Sequence, residues 1–292
     1  MRFYGRHYKL SLGSNGGSKV YETVNGEGLR LRFNVTHYPG GKLSMASIDL
    51  FNINKQSEGI ITSQFTDISL QAGYENNTGV IFKGQVVNFN KLRDGPDTFL
   101  RMFCNSGVKA LDNSRVEPKG LNKNVSVLEV IDLIASTLGL PLKIQREEFE
   151  NLPLKSIGYP MGNSVRFELE RLTRDYNLHW YIENGYLVIK KKDTKLPGST
   201  IIIAEESGLI GTPVVTSTGI SFKTHLNPSL SLNRIVNLRA KTPSIQFSGG
   251  YLVDQSRFIA HGSQRIIKIN AVGDTHSDDW YSECDCVRYG AV

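Results

Sequence analysis

Apolar and polar residues alternate along much of the first hundred positions of the chain. Residues 29–36 alternate with a period of two, the Pro-Gly-Gly at 39–41 breaks the pattern, and residues 46–50 alternate again. Such alternation predicts strands with one face in the core and one face in solvent. Further short apolar runs, such as 68–72, continue to about residue 107. Their spacing predicts antiparallel strands in a barrel or a sandwich.

The pattern changes to a helical period in the middle of the chain. Ser126 lies three residues before Glu129, which is the spacing of a capping box at the start of a helix. The apolar residues that follow at helical spacing, before Gly139 stops the run, are Val127, Val130, Ile131, Ile134 and Leu138. Ser164 and Asn177 bound a second, shorter run that consists of Val165, Leu169, Leu172 and Tyr176. The two runs predict two helices.

A hairpin and a return to strands follow these helices. Asn184-Gly185 joins the apolar runs 179–182 and 186–189, and both turn residues tolerate the positive φ that a tight turn requires. A lysine run at 190–192 marks the end of this part, because like charges do not pack in a core. From residue 200 onward, short β-type runs return.

The three kinds of pattern divide the chain into three predicted parts. Residues 1–107 are expected to form a first β-barrel domain, residues 108–195 an inserted α+β module of two helices and a hairpin, and residues 196–292 a second β-barrel domain. The expected fold class is therefore mainly β, or α+β overall, with two antiparallel β-barrel-like domains.

A faint internal repeat links the two β regions. Residues 86–89, followed by an Asp-containing turn and then Phe99, are echoed by residues 267–269, followed by another Asp-containing turn and then Trp280. The echo suggests two related β domains, with a chance match as the alternative.

The composition is that of a folded protein. Of the 292 residues, 39% are hydrophobic and 21% are charged, which suits two or three packed domains. The sequence has no stretch of ~20 apolar residues, and its start lacks the basic and then apolar pattern of a secretion signal. Three cysteines do not make a disulfide framework. We therefore expect a chain that is made and folded in a cytoplasm.

The charges are unevenly distributed. Lys and Arg number 34 and Asp and Glu 28, a formal charge of +6 that is common in proteins with no nucleic-acid partner. The basic residues that crowd the N-terminal segment are Arg2, Arg6, Lys9, Lys19, Arg30, Arg32 and Lys42. The acidic residues that crowd the C-terminal segment are Asp274, Asp278, Asp279, Glu283 and Asp285. We expect these ends to meet each other or a neighbouring subunit.

Residue types that bind metals or transfer protons are concentrated near the C-terminus. They are Asp274, His276, Asp278, Asp279, Cys284 and Cys286. In a strand, Cys284 and Cys286 would share a face with Trp280, and with His276 they could converge on zinc. The alternative is a strand whose small thiols lie in the wall of the fold beside a solvated aspartate turn. Because a second cysteine pair with zinc-site spacing is missing from the sequence, we favour the alternative.

The other motifs give little support to catalysis. Residues 13–19 resemble a phosphate-binding loop, but Ser18 stands where glycine must precede the lysine and Val20 stands where a hydroxyl must follow it. We expect a loop there. Glutamates such as Glu205 and Glu206 are expected to be solvated, because a glycosidase pair needs a cleft of defined width. The sequence lacks Gly-x-Ser-x-Gly, His-Glu-x-x-His and kinase signatures.

Several stretches resemble the baseplate hub proteins of phage tails. In the first β domain these are residues 72–75, 79–86 and 92–97, and in the second they are residues 207–211, 226–228 and 272–276, with Trp280 and Cys286. The order of β, α+β and β blocks agrees as well. The residues to which the resemblance gives a structural role are Gly73, Tyr74, Gly84, Asp94, Gly95, Asn227, Pro228, Gly273, Asp274, His276 and Trp280.

The resemblance implies a structural role in a virion. Hub proteins of this family form homotrimers, in which two similar barrels per chain make a ring of pseudo-six-fold symmetry between the hexameric tail tube and the trimeric spike. The implied location is the tail baseplate, after assembly in the bacterial host cytoplasm. The implied partners are the spike, the tail tube, other baseplate proteins, the tape measure protein and transient DNA in the channel, and no membrane. Catalytic residues, cofactors and metals are not expected.

Two other classes of function stay open at this point. A tail-associated peptidoglycan or polysaccharide hydrolase would use the acidic and histidine-containing cluster near the C-terminus. A DNA-binding module would use the excess of positive charge and would lose affinity steeply as the salt concentration rises.

Overall fold

The strands and helices account for most of the part of the chain that the structure describes. The computed structural model describes residues 5–14, 17–23, 27–64, 66–122, 125–154, 158–192, 194–195, 198–216, 219–240, 244–245 and 261–289. Arg2, one of the basic residues of the N-terminal segment, lies outside these ranges.

The protein is mainly β, as the sequence predicts. The strands are β1 (Arg6–Ser14), β2 (Gly17–Glu22), β3 (Leu31–His37), β4 (Met45–Phe51), β5 (Asp67–Tyr74), β6 (Asn77–Asp94), β7 (Asp97–Asn105), β8 (Lys119–Asn122), β9 (Leu142–Lys143), β10 (Gly158–Met161), β11 (Leu178–Glu183), β12 (Tyr186–Lys191), β13 (Ile201–Ala204), β14 (Leu209–Thr216), β15 (Gly219–His225), β16 (Ile235–Arg239), β17 (Ser244–Ile245), β18 (His261–Asp274) and β19 (Trp280–Arg288). The α-helices are α1 (Lys55–Gln64), α2 (Val108–Asn113), α3 (Val127–Leu138) and α4 (Val165–Tyr176).

Of the strands in the described ranges, fourteen belong to one sheet that runs through both β regions. Its order is β17-β14-β15-β19-β18-β3-β4-β7-β6-β5-β1-β2, and β13 and β16 attach beside β18. The expected barrels are therefore not separate closed bodies: β18 hydrogen-bonds to β3 from Ile269↔His37 to Asp274↔Arg32, and over the described strands the pairing does not return to its start. A shared ladder satisfies edge groups that two independent domains would leave open.

Residues 13–14 and 17–19 belong to paired antiparallel strands, which corrects the expectation of a loop over residues 13–19. Strands β1 and β2 pair from Lys9↔Glu22 to Ser14↔Gly17. Leu10 and Leu12 of β1 are buried, so the hydrophobic core holds β1 in place. The glycines are therefore compatible with a strand here because the sheet supplies the stabilisation.

The middle of the chain contains the predicted helices and hairpin. Ser126 accepts a hydrogen bond from the amide of Glu129, the Glu129 carboxylate accepts one from the amide of Ser126, and α3 ends at Gly139 in the left-handed region. Helix α4 begins after Ser164 and ends at Asn177. Strands β11 and β12 pair across Asn184-Gly185, where both residues have positive φ. The local signals at the helix ends and turn are thus realised as predicted.

In the part of the chain that the structure describes, buried side chains form three hydrophobic clusters, whose members do not strictly follow the order of the sequence. The first lies in the N-terminal β region but includes Leu226, Ala271 and Trp280. The second fills the space between α3, α4 and β11–β12. The third belongs to the C-terminal β region and includes Tyr181 and Val188. The division at residues 107 and 195 stays a prediction.

The two β regions repeat the same five-strand arrangement. Strands β3, β4, β5, β6 and β7 pair in the order β3-β4-β7-β6-β5, and strands β14, β15, β16, β18 and β19 pair in the order β14-β15-β19-β18-β16. Each long strand has a register shift near the echoed sequence, between Val86 and Asn88 in β6 and between Ile266 and Lys268 in β18. The faint sequence repeat therefore corresponds to a repeated topology.

Candidate functional site

The motif residues of the two β regions meet around Trp280. The indole Nε1 of Trp280 donates a hydrogen bond to the carbonyl oxygen of Gly73 at 3.0 Å. Tyr74 Oη lies 3.4 Å from the carbonyl oxygen of Trp280 and 3.1 Å from His225 Nδ1. Trp280 is buried and meets Phe33 edge-on, with ring centroids 5.3 Å apart. We call Gly73, Tyr74, Gly273, Asp274 and Trp280 the junction cluster.

Two glycines of the junction cluster allow this close packing. A Cβ at Gly273 would lie 2.3 Å from Cζ of Phe33 and 2.8 Å from Cε3 of Trp280. A Cβ at Gly73 would lie 2.0 Å from the carbonyl oxygen of Asn77. Both distances are far below van der Waals contact, so any side chain here would push the rings or the strands apart.

Asp274 joins the basic N-terminal segment to the acidic C-terminal segment. Its carboxylate accepts hydrogen bonds from Arg30 Nε at 3.1 Å, from Arg30 Nη2 at 2.8 Å and from the amide of His276 at 2.9 Å. Burial alone would raise the pKa of Asp274. The hydrogen bonds and the charge of Arg30 outweigh this effect, so the pKa of Asp274 falls below its usual value. The carboxylate therefore stays ionised at neutral pH.

Arg6 attaches the N-terminal strand to the same turn. Its guanidinium donates to the carbonyl oxygens of Asp274 at 3.1 Å, Asp278 at 3.3 Å and Ser277. The guanidinium also lies 5.7 Å from the centre of the Trp280 ring. The oppositely charged ends thus meet within one chain, which is the first of the two possibilities that the charge pattern raised.

The two C-terminal cysteines lie on the core side of the sheet. Cys284 and Cys286 are buried with Trp280 and Ser282 on one face of β19. Burial raises the pKa of both thiols, so they are protonated at neutral pH. His276 is exposed, and its Nδ1 lies 3.0 Å from Thr275 Oγ1. Among the residues that the structure describes, no three side chains of the metal-binding types come together.

The remaining motif residues lie at two other places. Asn227 Oδ1 accepts a hydrogen bond from Asn77 Nδ2 at 3.2 Å, and Pro228 packs against Gly79 at the start of β6. Gly84 lies in the middle of β6, where a Cβ would be 2.4 Å from the carbonyl oxygen of Asn105. Asp94 and Gly95 are exposed at the end of the β6–β7 hairpin, and Gly95 has a φ of 60°.

The sequence did not indicate that part of β6 is left with one free edge. Strand β5 pairs with β6 only as far as Asp67↔Gln85. From Asn88 to Asp94, β6 pairs with β7 alone among the described strands. Leu92 in this part is 38% exposed and Val87, directly before this part at the register shift, is 57% exposed, which is high for large apolar side chains. An open edge of this kind is a template for pairing with another chain.

Comparisons with known proteins agree with this architecture. A tail protein of 43 kDa from prophage MuSo2 of Shewanella oneidensis is similar over 98% of both chains, with 10% identity and a TM-score of 0.59. A tail protein from Neisseria meningitidis MC58 covers 98% of this chain and 97% of its own, also with 10% identity and a TM-score of 0.59. The TM-scores show a shared fold despite the low identity.

A third solved structure comes from a secretion system. The E. coli c3393 protein, described as a component of the type VI secretion system, matches with 9% identity and a TM-score of 0.55 over 89% of this chain and 74% of its own. A search of curated protein sequences found no match. The shared fold is thus that of tail proteins and of a related secretion component.

The fold is that of phage tail proteins. The sequence profile of the family described as "Baseplate hub gp41" matches residues 15–261. The chain therefore belongs to the baseplate hub gp41 family, as the resemblance implied. Membership of this family places the protein in the virion tail.

Proposed function

We propose that three copies of this chain form a ring that joins the tail tube to the spike. Each copy contributes two similar β regions, so a closed ring of three copies presents six similar units to a hexameric tube and three identical ones to a trimeric spike. The c3393 protein is itself described as structurally similar to the T4 bacteriophage tail proteins gp27 and gp5, which supports a role in a tail assembly. Other baseplate proteins would attach around this ring.

The observation that carries this proposal is that β18 pairs with a strand of the other β region, whereas the equivalent part of β6 has no such partner among the described strands. After its register shift, β18 pairs with β3 of the other β region, for example at Val272↔Asn34. By the repeat, the equivalent part of β6 is Asn88–Asp94, and the equivalent of β3 is β14. Within the described part of one chain, β6 and β14 do not pair with each other. A ring satisfies them when β6 of one copy pairs with β14 of the next copy.

The repeat also predicts a register for this pairing. Leu92 lies four residues after Asn88, the first residue past the register shift of β6, and Val272 lies four residues after Lys268 in β18, so the two positions are equivalent. Ser47 and Ser221 are equivalent in the same way, because they pair with corresponding residues of β7 and β19. Their partners Asn34 and Val214 are therefore equivalent as well. Leu92 of one copy is therefore expected opposite Val214 of the next. In the single chain, β17 pairs with Val214 and Val215 over two residues, so it gives way when the copies join.

The hydrogen-bond pattern of β6 suits this partner. Asp94 and Asp97 close the two-residue turn at Gly95-Pro96, so their pair is hydrogen-bonded and the pairs alternate from there. The amides of Phe89, Lys91 and Arg93 then point away from β7. The amide of Phe89 donates a hydrogen bond to Asn88 Oδ1 at 2.8 Å. Lys91 and Arg93 offer edge groups to an incoming strand.

A disulfide between copies tests the proposal. Leu92 and Val214 would form a non-hydrogen-bonded pair with Cα atoms about 4.5 Å apart, which lies in the range that a disulfide spans. A chain with Leu92→Cys and Val214→Cys is expected to give covalent dimers and trimers on mild oxidation. The three native cysteines are buried and do not compete.

Matched variants control for random collision. A chain with Leu92→Cys and Ile202→Cys also exposes two thiols, since Ile202 is 47% exposed, but it is expected to give no trimer ladder. Equal ladders from both variants, or trimers in solution that stay uncrosslinked at Leu92 and Val214, would contradict the interface.

The proposed role is structural rather than enzymatic. Asp274 would be the first candidate for a hydrolase, but its carboxylate is held by Arg30, and its lowered pKa prevents it from acting as a general acid at neutral pH. Purified protein is expected to leave the turbidity of a cell-wall suspension unchanged. Clearing of the suspension by the protein, and its loss in Asp274→Ala and His276→Ala, would support the hydrolase instead.

A further inference from the structure

A groove of about 520 Å³ lies on the sheet face opposite the core, across β3, β4 and β7. Its lining includes Arg32, Met45, Asp49, Arg101 and Phe103, and we call it the arginine groove. We propose that the arginine groove binds an extended segment of a partner protein in which a Glu or Asp carboxylate lies between apolar side chains.

The positive charge of the arginine groove is held in a fixed place. Asp49 is buried, and it accepts hydrogen bonds from Arg32 Nε at 2.9 Å and from Arg101 Nε and Nη2 at 2.7 and 2.8 Å. One carboxylate between two guanidinium groups leaves a net charge of +1. A single carboxylate on a partner would neutralise it.

Aromatic rings under the arginines add to this order. Phe51 and Phe99 stack with centroids 4.9 Å apart, and the guanidinium groups of Arg32 and Arg101 each lie 5.3 Å from the Phe99 ring. Because Asp49 and the Phe99 ring already restrict the two arginine side chains, these side chains lose little conformational entropy when a ligand binds.

Donor groups remain available in the arginine groove. Nη1 of Arg32 and Nη1 of Arg101 have no hydrogen-bond partner within the described part of the chain. The two arginine side chains are 34% and 30% exposed, so these groups reach solvent. Two guanidinium groups with free N–H pairs are the usual receptor for a carboxylate.

The apolar residues favour a protein segment over a nucleic acid. Met45 and Phe103 are 54% and 38% exposed beside the arginines. Methionine, aromatic residues and arginine are the types enriched where proteins bind proteins. Nucleic acids gain their affinity from several phosphate contacts at once, whereas this site has one net positive charge. The proposal does not depend on the ring, because the whole groove lies in one chain.

A pair of peptides tests the arginine groove. The probes are acetyl-Leu-Ser-Glu-Ser-Phe-amide, whose alternate side chains face one side when extended, and the same peptide with glutamine in place of glutamate. Titration into isotope-labelled full-length protein, followed by NMR, should shift the signals of Arg101 and Phe103 with the glutamate peptide. The glutamine peptide is expected to bind about fivefold or more weakly.

Surface variants keep the test independent of folding. Phe103→Ser and Met45→Ser change exposed side chains and are expected to weaken the glutamate peptide about threefold or more, whereas Phe167→Ser, a comparably exposed phenylalanine on α4, should leave its affinity unchanged. Equal binding of both peptides, no binding of either, or no effect of the groove variants would overturn the proposal. So would displacement of the peptide by a short thymidine oligonucleotide that binds more tightly to the same residues.

Discussion

Replacement of Trp280 by phenylalanine tests whether the junction cluster holds the two β regions together. The change keeps an aromatic ring but removes the indole N–H that donates to the carbonyl oxygen of Gly73 at 3.0 Å. An acceptor left without its partner in a buried site costs about 1–3 kcal/mol. Trp280→Ala also leaves a cavity against Phe33, so the expected loss rises to about 3–5 kcal/mol.

Urea unfolding, followed by far-UV circular dichroism, measures these losses of unfolding free energy. They are expected as a lower urea concentration at the midpoint with an unchanged dependence of the free energy on urea. The chain has two tryptophans, so Trp180→Phe is the matched control and leaves Trp280 as the single indole fluorophore. Trp180 is buried in the cluster of the α+β part. Hydrogen exchange is expected to show weakened protection in β3, β5 and β18 for Trp280→Phe, and around α3 and α4 for Trp180→Phe.

Two results would refute this reasoning. One is a Trp280→Phe protein with the midpoint of the original chain. The other is a loss of protection that stays within β19, because the junction would then not transmit stability between the regions.

Three other changes have defined outcomes. Gly273→Ala should cost about 1–3 kcal/mol in urea unfolding because its Cβ would meet Phe33, whereas Gly59→Ala, with open space around it, should not destabilise; equal effects would contradict the packing argument. Because the pKa of Asp274 is lowered in the folded state, its ion pair stabilises the protein fully above the ordinary pKa of 3.8, and this stability is lost as the pH falls through the lower folded pKa. Asp274→Asn should therefore reduce the dependence of the unfolding free energy on pH in acid; an unchanged dependence would refute this. Ile131→Pro should cost about 3 kcal/mol or more in α3, measured by hydrogen exchange, while the assembly state persists; loss of both would show that the α+β part belongs to the ring.

Local signals in the sequence predicted the local structure well. The capping box at Ser126 and the turn at Asn184-Gly185 act over a few residues, so their outcome depends little on the rest of the chain. Helix α1 went unpredicted because Lys55–Gln64 lacks a strong apolar stripe. The short strand β17 also has no signal of its own, since it depends on pairing with β14.

The candidate site was predicted only as separate motifs. The sequence indicated Gly73 and Trp280 as motif residues, but their hydrogen bond joins positions about two hundred residues apart, which no local pattern encodes. The free edge of β6 was also beyond prediction, because it follows from where β5 stops pairing at Gln85. Such features depend on tertiary pairing, and the repeated topology became visible only with the sheet order.

The mass of the protein in solution tests the central claim most directly. Light scattering on the purified chain alone is predicted to give three times the chain mass of 32.5 kDa, and the sample with its spike is predicted to add the mass of the spike to that value. Images of both samples should show a ring with a central opening. One copy of the chain per particle in both samples would contradict the account.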